Sequence, residues 1–125
     1  MHYLRVYADA DGESHFAEVE LPTERVAEPA RALVAELSAP LDAGVVVFRN
    51  VLSEPTDGYP HVAPRRQLIV QLGGEAEIET SDGEVRRLSP GSVVLVEDTT
   101  GKGHVTRGLS PGGRTTLVVT LPDGR

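Results

Sequence analysis

The chain has 125 residues and a formal net charge of −7, with 19 acidic against 12 basic side chains. That length suits one domain, 1–125, with enough chain to bury a core, and the acidic balance offers a phosphate backbone repulsion where nucleic-acid binding needs a basic stripe. The absence of cysteine excludes a disulfide framework, a thiolate metal site and cysteine-nucleophile chemistry.

Taken in chain order, short runs of strand length separated by turn signals predict a β protein. Strands are expected at 3–8 and 16–21, joined by a hairpin turn over Asp9-Ala10-Asp11-Gly12-Glu13, whose acidic residues lack the full spacing of a calcium loop. Ser14 and His15 are chain neighbours, so on a strand they point to opposite faces and make a poor nucleophile–base pair. Between 29 and 37, Ala30, Leu33, Val34 and Leu37 recur at helical spacing, with Pro29 tolerated in a first turn and Pro40 beyond the end; one short amphipathic helix is predicted there. A strand follows at 44–51, then a loop over 53–59, then strands at 67–72, 76–80, 85–88, 92–96, 104–107 and 115–121. The pairs Gly73-Gly74, Asp82-Gly83 and Pro90-Gly91 and the run Pro111-Gly112-Gly113 mark the turns between the later strands. Many short strands with such turns favour a sandwich or a closed barrel. The runs Val45-Val46-Val47 and Val93-Val94 suit a sheet packed against another surface. No apolar run approaches the roughly 18–20 residues needed to span a bilayer, and no apolar h-region stands near the start, so a cytoplasmic protein with no membrane partner is expected.

Glu97-Asp98-Thr99-Thr100-Gly101-Lys102-Gly103-His104 has the look of a phosphate loop but lacks a Ser or Thr after Lys102 and the upstream glycine spacing. Its glycines are read as letting the chain turn. Glu97 and Asp98 are open to two readings, as solvated loop carboxylates or as a replacement metal ligand or general base.

Two of the four histidines define the constellation with most chemical content. His61-Val62-Ala63-Pro64-Arg65-Arg66-Gln67, then Pro90-Gly91, then Gly101-Lys102-Gly103-His104 together resemble the cupin family. These are small jelly-roll barrels whose first motif runs Gly-x5-His-x-His-x3-Glu-x6-Gly and whose second runs Gly-x5-Pro-x-Gly-x2-His. The resemblance covers about the central half of the chain. His61 falls on the first motif histidine, Gln67 on the acidic position and Gly74 on the following glycine, while Ala63 replaces the second histidine and Pro55 the opening glycine. In the second motif Gly91 matches, Glu97 stands where proline is usual, and His104 arrives two residues late.

The resemblance implies an all-β, cupin-like jelly-roll barrel (double-stranded β-helix), with the one short helix in its N-terminal half, and a homodimer. It reduces the usual four metal ligands to His61, Gln67 and His104. Such a set leaves two states open: one divalent ion (Mn, Fe, Ni or Zn) held less tightly than by three histidines and a carboxylate, or no metal. Gln67 equally suits the satisfaction of buried backbone groups. On an unbroken strand His61, Ala63, Arg65 and Gln67 share one face, which would bring the Arg65 guanidinium into the histidines' cavity. For Arg65 and Arg66 the competing reading is a solvated side chain and a salt bridge.

The function expected is proton-transfer chemistry of isomerase, cyclase or lyase type on a small organic ligand, anionic or carbonyl-containing. His61, His104 and Arg65 are the candidate catalytic residues, and Arg65, Arg66, Lys102 and Tyr59 the candidate substrate-binding ones. The loss of a histidine ligand at Ala63 sets this reading ahead of dioxygenation. The alternative is a non-catalytic metabolite-binding or sensing cupin that has lost its metal.

Overall fold

Along β1 (His2–Ala8) the side chains alternate: Leu4 and Val6 turn to the core, while Tyr3, Arg5 and Tyr7 turn away from it. This is the period-two pattern from which most of the molecule is built. The computed structural model describes residues 1–54 and 57–122; Pro55, assigned above to the opening-glycine position, lies outside them. The other strands are β2 (Ser14–Glu20), β3 (Thr23–Glu28), β4 (Leu33–Ser38), β5 (Val46–Val51), β6 (Gln67–Gly73), β7 (Ala76–Thr80), β8 (Val85–Leu88), β9 (Val93–Val96), β10 (His104–Gly108) and β11 (Arg114–Thr120). The chain is all-β. No helix among the described residues is long and apolar enough to cross a membrane.

The strands form three separate sheets, ordered β2-β1-β9-β6-β11-β5, β10-β7-β8 and β3-β4; their hydrogen bonding does not close them into one barrel. β1 and β2 pair throughout, and the Asp9 carboxylate ties their turn by accepting from the backbone N–H groups of Asp11 (2.9 Å) and Glu13 (3.1 Å). β1 pairs in parallel with β9, setting Leu4 beside Val94 and Val6 beside Val96. The six-stranded and three-stranded sheets share a core of Val6, Ala63, Ile78, Leu88, Val94 and Val96, lined by Leu4, Phe16 and Ile69. At about 1.5–3 kcal/mol for each large apolar side chain fully buried, this cluster holds the two sheets together.

The helix expected over 29–37 is not formed. A three-residue 3₁₀ turn (Pro29–Arg31) leads into Ala32 at φ 49°, and the chain then reverses into β4, which pairs antiparallel with β3 from Thr23↔Ser38 to Glu28↔Leu33. A helix this short is marginal in water unless a packed apolar stripe supports it. Val34 (58%) and Leu37 (54%) remain exposed, so no surface of the described chain offers that support, and pairing with β3 satisfies the backbone instead.

Candidate active site

His104 opens β10, and its backbone exchanges two hydrogen bonds with His61, whose N–H donates to the His104 carbonyl (3.0 Å) and whose carbonyl accepts from His104 N–H (2.9 Å). Residues directly opposite in an antiparallel pair place their side chains on the same face. The two imidazoles accordingly meet, with ring centroids 4.7 Å apart and planes tilted by 56°. Gly103 makes this approach possible: it sits at φ 73°, and a Cβ there would overlap the His61 carbonyl. Gly101 packs against Gly12, and Lys102 N–H donates to the Gly12 carbonyl (2.8 Å), so the loop before His104 rests on the β1–β2 turn.

Behind His104 lies Asp98, with no solvent exposure, its Oδ2 2.6 Å from His104 Nδ1. Its backbone carbonyl accepts from Ala63 N–H (3.0 Å), linking the loop to the His61 segment, and Oδ1 makes no hydrogen bond among the described residues. A carboxylate accepts, so Nδ1 of His104 donates and Nε2 is left as the basic nitrogen. At His61 the Tyr59 carbonyl, 3.3 Å from Nδ1, selects the same tautomer more weakly. His104 is 5% exposed, whereas His61 is exposed.

Both histidines line a cavity of about 450 Å³. Ile69, Ile78, Leu88 and Val96 supply apolar wall, Tyr59, Ala63 and Gln67 join the histidines, and Arg49, Glu54 and Arg114 complete a charged lining. Of the residues singled out from the sequence, His61, His104, Gln67 and Tyr59 come together here. Arg65 does not line it, because the strand is interrupted: after the His61 bridge the chain bends at Pro64, Arg65 and Arg66, and β6 begins only at Gln67. Arg65 is exposed. Arg66 pairs with Glu97, which also binds Arg5, and Lys102 Nζ pairs with Glu13 Oε2 (2.8 Å), so neither faces the histidines. Burial alone would push the Glu97 carboxyl up, but Arg66 and Arg5 outweigh it and hold it below the ordinary range. Ser14 is buried and structural, its hydroxyl donating to the Gly103 carbonyl (2.6 Å), while His15 turns to Asp9 and Asp82.

A larger groove, about 740 Å³, lies over Leu68, Val93 and Leu95 on the other face of the six-stranded sheet. Arg66 and Glu97 in it are paired with each other and His2 with Glu20, which leaves Asp42 as a single carboxylate there, against two facing imidazoles in the histidine cavity.

As a metal site the donor set fits poorly. Two imidazoles and the amide of Gln67 face the cavity, and no group of three His, Asp or Glu side chains placed to hold an ion is found among the described residues. The Asp98 carboxylate is engaged with His104 Nδ1, and the Glu54 carboxylate that also lines the cavity is held through both oxygens by Arg114.

Three charged cavity residues are not among the candidates drawn from the sequence: Arg49, Glu54 and Arg114. The available signal was a charge inside an apolar strand, since Val47, Arg49 and Val51 alternate with Phe48 and Asn50 along β5. Arg114 is 8% exposed and held by Glu54 through two bonds (2.8 and 3.2 Å), with Gln71 Oε1 at 3.4 Å. Burial, then repulsion from Arg114, lowers the Arg49 guanidinium from its ordinary range, with Glu54 opposing.

No protein-family model matches the chain, and no curated protein matches it at a significant level.

Proposed function

We propose that the chain is a small-molecule enzyme of proton-transfer type, an isomerase, cyclase or lyase, with His104 as general base. The observation that carries this is the Asp98–His104 hydrogen bond, buried at one end and facing a cavity shared with a second imidazole at the other. His104 Nε2 takes a proton from a carbon next to a carbonyl, and Asp98 stabilises the imidazolium that results. His61, entering the step as the imidazolium with Nδ1–H still on the Tyr59 carbonyl, donates its Nε2 proton to the developing oxyanion or to a second carbon in an isomerisation, or to a leaving group in an elimination, and solvent then returns the proton from His104 to His61. General acid–base catalysis of this kind contributes about 10²- to 10⁴-fold. The poor fit of the donor set routes no step through a metal.

The fold reading that accompanies this is an open variant of the cupin jelly roll, supported by the two facing sheets and the cavity between them. Cytoplasmic location and a homodimer belong to the same proposal. β5, an edge strand with Val46, Val47 and Phe48 exposed, and the separate β3–β4 hairpin support the dimer.

The test is deuterium uptake from D₂O into a panel of small keto acids and hydroxy acids, followed by proton NMR with the wild type and His104→Gln. Uptake that exceeds buffer with the wild type and falls to background in the folded variant supports catalysis. Background uptake by both, with saturable binding of a panel member, overturns it in favour of a metabolite-binding protein.

A further inference from the structure

We propose that Arg49 is a carboxylate-binding residue and that the cavity takes a small organic acid, its carboxylate on Arg49 and its reactive carbon toward the histidines. This rests on the reading of the histidine cavity as the functional site and names its substrate class.

Arg49 is directly opposite Thr116 in the β5–β11 register, and its Nε donates to Thr116 Oγ1 at 3.1 Å. That bond fixes the plane of the guanidinium. Among the described residues its two Nη groups have no hydrogen-bond partner, and the residue lines the cavity with His61 and His104. The neighbouring carboxylate is already committed, since Glu54 holds Arg114 through both oxygens.

The pairing of the other arginines sharpens the contrast. Arg5, Arg66, Arg86, Arg107 and Arg114, which are partly or fully buried, each pair with a carboxylate. Among the described residues Arg49 is the arginine of that class without an ion pair, in a chain with 19 acidic against 12 basic side chains. A partly desolvated guanidinium beside a second one is unfavourable by itself and becomes favourable when an anion joins it. The planar fork matches a carboxylate bidentately, and the apolar wall of Ile69, Ile78 and Val96 suits a short carbon skeleton. The lowering of Arg49 by burial and by Arg114 agrees with this imbalance.

The full chain, ¹⁵N-labelled, is titrated with acetate, pyruvate, malonate and succinate at constant ionic strength, with sodium chloride, inorganic phosphate and dimethyl malonate as comparators, and the arginine Nε–H signals are followed. At least one acid is expected to bind saturably. Its affinity should fall about tenfold or more in Arg49→Met and less in Arg49→Lys, which keeps the charge without the fork and also serves if Arg49→Met folds poorly. Arg65→Met should bind as the wild type does. Equal binding by Arg49→Met or Arg49→Lys and the wild type, binding by none of the acids, or tighter binding of phosphate than of every acid overturns the proposal. Deuterium uptake is measured on the same samples. Arg49-dependent binding without uptake leaves the carboxylate subsite standing and removes the proton-transfer reading, whereas uptake unaffected by Arg49→Met does the reverse.

Discussion

His104 Nδ1 and Asp98 Oδ2 are 2.6 Å apart, with the carboxylate wholly removed from solvent and the imidazole 5% exposed. The pair sets which ring nitrogen of His104 carries the proton. Replacing Asp98 by Asn puts an N–H donor opposite Nδ1 and drives the proton to Nε2, which disables the base while keeping the shape. Asp98→Asn is expected to lower deuterium uptake by about 10²- to 10⁴-fold, with near-native circular dichroism. Uptake within a factor of about two of the wild type, on this same logic of differential stabilisation, would show that Asp98 does not orient the base.

The approach of the histidines depends on a missing side chain. Gly103→Ala introduces a Cβ onto the His61 carbonyl and forces a non-glycine residue to φ 73°. It should cost about 1–3 kcal/mol in urea unfolding and separate the imidazoles. Gly83 also has a positive φ, 91°, but a Cβ there meets nothing within 4 Å; Gly83→Ala should therefore pay for backbone strain alone and leave deuterium uptake unchanged.

Stability should depend on pH through His15, away from the cavity. Hydrogen bonding to Asp9, reinforced by Asp82, raises His15 above its ordinary 6.5. His15 in turn lowers Asp9 below 3.8, while Asp82 is lowered first by the Thr80 hydroxyl, with smaller help from the Glu84 N–H and His15. A raised histidine contributes fully below its unfolded value and loses that contribution as pH rises through its folded one. The two aspartates contribute above their unfolded value and lose it as pH falls through their folded values. The cluster is thus most stabilising between about pH 4 and 6.5. Thermal melts from pH 5 to 9 should show a decline above neutrality in the wild type that His15→Gln flattens; parallel curves would dismiss the cluster as a source of pH dependence.

Ala32 is the one non-glycine residue at positive φ among those described, and it turns the chain between β3 and β4. Ala32→Gly removes the left-handed penalty at some cost in chain entropy and should stabilise the hairpin by up to about 1 kcal/mol. Because that hairpin is a sheet by itself, hydrogen exchange of its amides is the sensitive readout, with slowing of up to about fivefold in β4. Unchanged or faster exchange would count against the strain.

The strands were legible where alternation and turn chemistry agreed: 76–80 and 85–88 coincide with β7 and β8. Between 29 and 37 the apolar spacing satisfied a helix, but periodicity selects a helix only when the stripe finds a partner, and Leu37 finds none among the described residues. For the site, His61 and His104 were visible as residues, whereas their backbone bridge depends on long-range pairing that local sequence does not encode. An unbroken period of two puts Arg65 on their face, and the bend at Pro64 interrupts that period. For Asp98 the sequence does not separate a solvated carboxylate from a base, because burial of a loop is a tertiary property. At Arg49 the sequence shows a charge inside an apolar strand but not which face of β5 looks into the cavity.

The bond between His61 and His104 also orders events during synthesis. His104, Asp98 and Arg114 come from β10, the loop before it and β11, while β1 must find β9 across most of the chain. Contacts that close long loops form late. A ribosome-bound chain that has released His61 but not β10 therefore holds an imidazole without its bridge partner, and the paired histidines meet only when His104 has emerged and docked.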